Sequence, residues 1–99
     1  MIVYFYRPGC PHCEKFKPVW TKFKSKYGGV LDIREVNGSK SPALGEKMGI
    51  MGFPTVLALN GKERVEYEPE KRTLKTLETF TKKCYNPHLK NDLNNYVTM

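Results

Sequence analysis

The sequence predicts a small α/β fold in the order β-α-β-α-β-β-α, with a mixed four-stranded sheet flanked by helices. Three observations carry that expectation. A β-branched and aromatic run, Ile2 to Tyr6, stands directly before a segment whose apolar residues recur with a helical period. Runs of strand character then alternate with segments of helical character, separated by glycine, proline and asparagine. Finally, Asn60-Gly61 joins the last two strand-like runs, and Asn-Gly is the strongest short hairpin signal.

Each element has its own local reason. Between Glu14 and Tyr27, the residues Phe16, Val19, Trp20, Phe23 and Tyr27 fall at spacings of 3, 1, 3 and 4, which is one face of a helix. Pro11 suits the first turn of that helix, where the amide it lacks would find no partner. Gly28-Gly29 stops it, and Val30 to Val36 reads as a second strand. Asn37-Gly38-Ser39 is a turn. Ser41-Pro42 offers an N-cap followed by proline at the first helical position, for a short helix from Pro42 to Met48 that buries Leu44 and Met48 and stops at Gly49. Val56 to Leu59 is a third strand and Lys62 to Tyr67 a fourth. After the polar loop Glu68 to Arg72, Thr73 caps a last helix with Leu74, Leu77, Phe80 and Cys84 on its apolar face, ended by Asn86-Pro87. Strands joined through helices are expected to be parallel, with the hairpin adding an antiparallel edge.

The chemistry concentrates at Arg7-Pro8-Gly9-Cys10-Pro11-His12-Cys13, where the first strand hands over to the first helix. Two residues between cysteines, folded into one helical turn, bring the sulfurs within bonding distance. The first sulfur lies near the positive end of the helix dipole, which stabilises a thiolate, and the second waits inside to resolve a mixed disulfide. His12 and Arg7 add positive charge beside Cys10, and such surroundings lower a cysteine pKa from about 8.5 to roughly 3.5–7.5. A zinc site is short of donors, since one CxxC supplies two ligands and no second cluster has metal spacing, so no metal is expected.

Ninety-nine residues suit one small domain, here residues 1–84, followed by a polar tail over 85–99 that could add a short helix around Leu89 to Tyr96. The chain is 39% hydrophobic and 12% aromatic, which excludes a disordered chain. No apolar run approaches the ~18 residues a membrane span needs, and Met1-Ile2-Val3 enters the strand without a charged leader, so no membrane role and a cytoplasmic location are expected. The net charge of +7 would steer acidic partners, but its lysines are spread and no nucleic-acid motif accompanies them. Of three cysteines, Cys10 and Cys13 are the obvious couple; Cys84 reads as a small apolar core residue, and His88 as idle.

The motif and element order resemble the thioredoxin superfamily, over roughly residues 2–84. Cys-Pro-His-Cys follows the first strand, Pro18 stands eight residues after Cys10 where the family kinks its helix, and Trp20 follows as in protein disulfide isomerases. Pro54, 44 residues after Cys10 within Gly-Phe-Pro-Thr, matches the family's cis-proline, and Val65-Glu66-Tyr67 is also disulfide-isomerase-like. The resemblance implies that the Phe53–Pro54 loop faces Cys10 and offers the Phe53 backbone to a bound peptide. Gly9 stands where the family usually has tryptophan. Gly-Cys-Pro is similar to glutaredoxins, without the glycine pair they use for glutathione, and Pro-His is the dipeptide of bacterial disulfide oxidases, which carry a helical insertion this chain lacks.

The resemblance therefore implies a thiol–disulfide oxidoreductase on protein substrates, with Cys10 as nucleophile, Cys13 resolving, and His12 favouring the reduced, more oxidising state. Gly9, Phe53 and Pro54 would line the substrate site. The family's buried acid, six residues before the first cysteine, is replaced here by Tyr4, and Glu35 stands where lysine is common. Glu35, with a raised pKa and a hydrogen bond from Tyr4, is expected to accept the proton of Cys13. No cofactor beyond the Cys10–Cys13 pair is expected; partners are protein thiols and disulfides and an unidentified redox partner, and the chain is expected to be monomeric. A thioredoxin-like or glutaredoxin-like reductase, or a non-catalytic peptide-binding module, are the alternatives.

Overall fold

The computed structural model describes residues 1–60 and 63–85. Its elements are β1 (Ile2–Tyr6), α1 (Pro11–Tyr27), β2 (Ile33–Asn37), α2 (Pro42–Lys47), β3 (Thr55–Asn60), β4 (Glu63–Glu66) and α3 (Leu74–Tyr85). The sheet order is β2-β1-β3-β4. β1 is central and buried on both faces, which is why it reads as an unbroken apolar run rather than an alternation.

The two faces of the sheet have separate cores. Ile2 and Tyr4 of β1, with Val56 and Ala58 of β3, meet Phe16, Trp20, Phe23 and Tyr27 of α1 and Leu77 of α3. On the other face Val3, Phe5 and Leu57 are packed by Val36, Met48, Ile50, Phe53 and Leu59. The C-terminal end of α1 is tied to α3 by Glu78, which accepts from Lys26 Nζ at 2.7 Å and from the Tyr27 hydroxyl. Thr73 caps α3: its Oγ1 accepts from the Thr76 N–H at 3.1 Å, while Thr76 Oγ1 accepts from the Thr73 N–H at 3.0 Å.

Several expectations are corrected. β1 and β2 are parallel, but β3, although joined to β2 through α2, is antiparallel to β1. The reason is length. α2 has six residues, about 9 Å of helix, whereas a return along a five-residue strand would need about 17 Å. The chain therefore stays at the end of the sheet where β2 finished, and Thr55 enters beside Phe5.

Strand β2 begins at Ile33 rather than Val30, because the N–H groups of Val30 and Leu31 both donate to Tyr27 O and hold those residues in the closing turn of α1. Leu44 is exposed rather than buried, and Gly45 is the buried residue of α2, its carbonyl accepting from Ile50 N at 2.8 Å. Met48 is half-buried just past the helix. Ser41 stands at the N-cap of α2 without a side-chain capping bond. On α3, Thr81 joins the buried face, which is possible because its hydroxyl donates to Leu77 O at 2.8 Å. The Gly61 half of the hairpin turn, the stop at Asn86-Pro87 and the tail helix lie outside the described residues.

Candidate active site

The handover from β1 to α1 is built by local chemistry. Gly9 has φ +81°, a left-handed conformation that strains any residue with a Cβ, so the glycine standing where tryptophan was expected is demanded by the backbone here. Cys10 follows as the N-cap of α1 with Pro11 at the first helical position. Its N–H donates to Arg7 O at 3.2 Å and its carbonyl accepts from Glu14 N at 3.0 Å. One turn on, Cys13 is turned inward and is 5% exposed.

The two thiols are free, and their environments push them apart. Cys10 is held below the ordinary thiol range chiefly by the Cys13 thiol donating to its sulfur. The Cys13 and His12 backbone N–H groups and the Arg7 guanidinium act in the same direction, against some desolvation. Burial pushes Cys13 up to about 11. His12 lines a different cavity together with Lys15 and Arg72, and it acts on Cys10 through its backbone N–H.

Across from Cys10 stands the Gly52–Thr55 segment. Phe53–Pro54 is a cis peptide bond, and Cys10 Sγ donates to Phe53 O at 3.6 Å. Thr55 Oγ1 closes the loop on Gly52 O at 2.7 Å. An open groove of about 480 Å³ runs between the Arg7–Pro11 segment and Met51, Gly52 and Phe53. Met51 is 98% exposed on its rim, a position that nothing in the sequence pattern singles out.

Gly38 is the second residue that sequence reading missed. Its place in Asn37-Gly38-Ser39 suggests only a turn, but a Cβ there would lie 2.4 Å from Cε1 and Cζ of Phe53. Glycine at 38 is what lets the Phe53 ring close against the end of β2. The Gly38 N–H donates to Tyr6 O at 2.7 Å, tying that same point to the end of β1.

Glu35 is where the structure departs most from expectation. Register pairs it with Tyr4, and both line a cavity of about 460 Å³ that reaches Cys13. Its hydrogen bond, however, comes from Trp20 Nε1 at 2.8 Å, not from Tyr4, and Lys24 Nζ lies 2.9 Å from the same oxygen. Burial pushes the carboxyl up, but the bonds from Trp20 and Lys24 outweigh it and the net shift is downward. The expected raised pKa is thus reversed. The missed signal was Trp20, whose indole N–H needs an acceptor when buried. Burial, with the nearby charges of Cys13 and Glu35, raises the Tyr4 phenol well above its usual range, so it stays protonated.

With this geometry described, comparison with known proteins places the fold. The family model described as Thioredoxin matches residues 1–83. The chain belongs to the thioredoxin family. A thioredoxin domain-containing protein of Theileria parva is 32% identical over 79 residues, covering 80% of this chain and 36% of the relative. Mouse protein disulfide-isomerase A6 is 38% identical over 55 residues, 56% of this chain and 12% of that protein. Among solved structures, the J-Trx1 fragment of ERdj5 superposes with a TM-score of 0.75 at 30% identity, covering 83% of this chain and 41% of that one. The chain thus spans about a third or less of the curated relatives it matches. Among the described residues no helix is long and apolar enough to cross a membrane, and no group of three His, Cys, Asp or Glu is placed to hold a metal ion.

Proposed function

We propose that this chain is a relatively oxidising thiol–disulfide oxidoreductase acting on protein substrates. The observation that carries the reading is the division of labour between two thiols of one helical turn. Cys10 is held low at an open groove, and Cys13 is pushed up to about 11 in the interior. In the oxidising direction a substrate thiolate attacks Sγ of Cys10. The Cys10–Cys13 bond breaks, and Cys13 leaves with the electron pair and takes a proton. A second substrate thiolate then attacks the substrate sulfur of the mixed disulfide and expels Cys10. A low-pKa thiol is the better leaving group, so the step that releases oxidised substrate is favoured. Two electrons have passed from substrate to the protein, which an acceptor disulfide on a redox partner must remove.

Met51, Gly52 and Phe53, just before Pro54, supply the opposite wall of the groove, where an extended peptide can pair with the Phe53 backbone. Gly9 leaves the near wall low. In the reducing direction the proton of Cys13 leaves through the cavity beneath it. A carboxyl held low by Lys24 and Trp20 is a poor base for a thiol near 11, so Glu35 orients Trp20 rather than accepting that proton.

The test is to equilibrate the purified protein with glutathione redox buffers and measure the Cys10–Cys13 potential. A value between about −120 and −200 mV supports the oxidising reading, and one near about −270 mV makes the domain a reductase. Absence of any dithiol–disulfide transition would overturn the enzyme reading in favour of a peptide-binding module. A Cys10→Ser variant gives the same division, since exchange requires that sulfur and binding does not.

A further inference from the structure

A further cavity, of about 360 Å³, is lined by His12, Lys15, Phe16, Pro69, Glu70 and Arg72. His12, Lys15 and Phe16 are spaced i, i+3, i+4 and so share one helix face, while the other three residues come from the loop between β4 and α3. Phe16 is 2% exposed, which gives the cavity an apolar wall. Lys15 and Arg72 reach it from two elements, with His12 beside Lys15 on the helix face, against the single carboxylate of Glu70. Among the described residues none of these four polar side chains makes an ion pair or a side-chain hydrogen bond. Lys15 and Arg72 thus reach the cavity without a carboxylate partner among the described residues, and the helix face that carries Lys15 begins at His12, two residues after the nucleophile.

We propose that this cavity is a subsite for an acidic side chain of the protein substrate, close to the cysteine undergoing exchange. The ligand chemistry is a carboxylate of a polypeptide. Arg72 offers a planar fork that matches a carboxylate, and Lys15 a point charge. A substrate held at the Phe53 backbone in one cavity and at Lys15 and Arg72 in the other is fixed at two points. The subsite selects polypeptides with Asp or Glu flanking the cysteine. It rests on the peptide-exchange reading above, and deepens it by naming a substrate class.

Binding can be tested apart from exchange. The Cys10→Ser, Cys13→Ser protein is titrated by fluorescence anisotropy with two peptides that differ only in Glu or Gln beside a blocked cysteine. The Glu peptide is expected to bind more tightly, and Lys15→Glu with Arg72→Glu to remove that preference, a loss of about five- to tenfold for the Glu peptide and little for the Gln peptide. Glu70→Gln is expected to tighten the Glu peptide. A control reversing Lys22 and Lys47 changes the net charge equally and should leave the preference in place. Equal affinity for both peptides in the parent, or a preference lost as fully in the control as in the cavity variant, would overturn the subsite. Turnover of either peptide by the wild-type protein is scored separately, so a failed exchange reading and a failed subsite remain distinguishable.

Discussion

Replacing Gly38 by alanine is the sharpest available test of how the substrate groove is held. The new Cβ would sit 2.4 Å from two ring carbons of Phe53 and 3.3 Å from Tyr6 O. Ordinary carbon–carbon contacts lie at about 3.5–4.0 Å, so something must move by more than about 1 Å. The turn is poorly able to yield. Gly38 N donates to Tyr6 O, and Asn37 Oδ1 accepts from Ser39 N at 2.9 Å and Lys40 N at 3.3 Å. The half-buried Phe53 ring must yield instead, and it carries the carbonyl that faces Cys10. Overpacking of this kind costs about 1–3 kcal/mol. At about 4–8 °C per kcal/mol for a domain of this size, Tm should fall by roughly 5–20 °C. The KM for a peptide substrate should rise severalfold, while alkylation of Cys10 by iodoacetamide is little changed, because a small reagent needs no groove. Adding Phe53→Leu should restore much of the lost stability, with a coupling of at least about 1 kcal/mol between the two sites. Strictly additive costs in the double variant, or a Gly38→Ala protein within about 0.5 kcal/mol of wild type, would refute the packing argument.

Other expected outcomes follow from the site and its supports. Alkylation of the reduced protein across pH, mapped by mass spectrometry, should show Cys10 reacting below the ordinary thiol range and Cys13 only near pH 11. Arg7→Gln should raise the Cys10 midpoint more than His12→Ala does, since the guanidinium acts on Cys10 directly and His12 acts through its backbone. Glu35→Gln should cost about 1 kcal/mol after allowance for partial solvent screening. Because the folded carboxyl is lowered, that contribution is present above its unfolded pKa of about 4.3 and is lost only as pH falls through the folded value. Denaturant unfolding at pH 7 and pH 3 checks this: a difference between wild type and variant that is the same at both pH values contradicts it. Thr73→Ala removes the Oγ1 acceptor of the α3 cap and should cost about 1 kcal/mol by the same measurement, with exchange activity unchanged.

What was legible in the sequence is what nearby residues decide. The strand before Cys10, the helix after it, the inward face of Phe16, Trp20, Phe23 and Tyr27 and the Thr73 cap all rest on spacings within one element, and the structure has them where the spacing put them. Pairings between distant residues were not legible. Glu35 could be placed beside Tyr4 from strand register, but its partners Trp20 and Lys24 reach it from a helix on the covering layer, and they set the sign of its pKa shift. Gly38 and Phe53 are 15 residues apart, and a turn glycine that serves conformation looks the same in sequence as one that serves space.

The direction of β3 was the costliest of these misreadings, because the site depends on it. Three chain segments meet at one end of the sheet: the exit of β1 at Tyr6, the exit of β2 at Gly38, and the entry to β3 at Thr55. They are fastened by Gly38 N to Tyr6 O, by the Phe53 ring against Gly38, and by Cys10 Sγ to Phe53 O. Had α2 been long enough to return the chain for a parallel β3, the Phe53–Pro54 loop would have entered at the opposite end, about 17 Å from Cys10. The dithiol would then have kept its helix but lost the wall against which a substrate is held. Six residues of helix, about 9 Å, do not run the length of a strand back along the sheet, and this is what brings the loop to the cysteine. Lengthening α2 by two turns, though it would add helix, should therefore abolish peptide exchange while leaving the intrinsic reactivity of Cys10 in place.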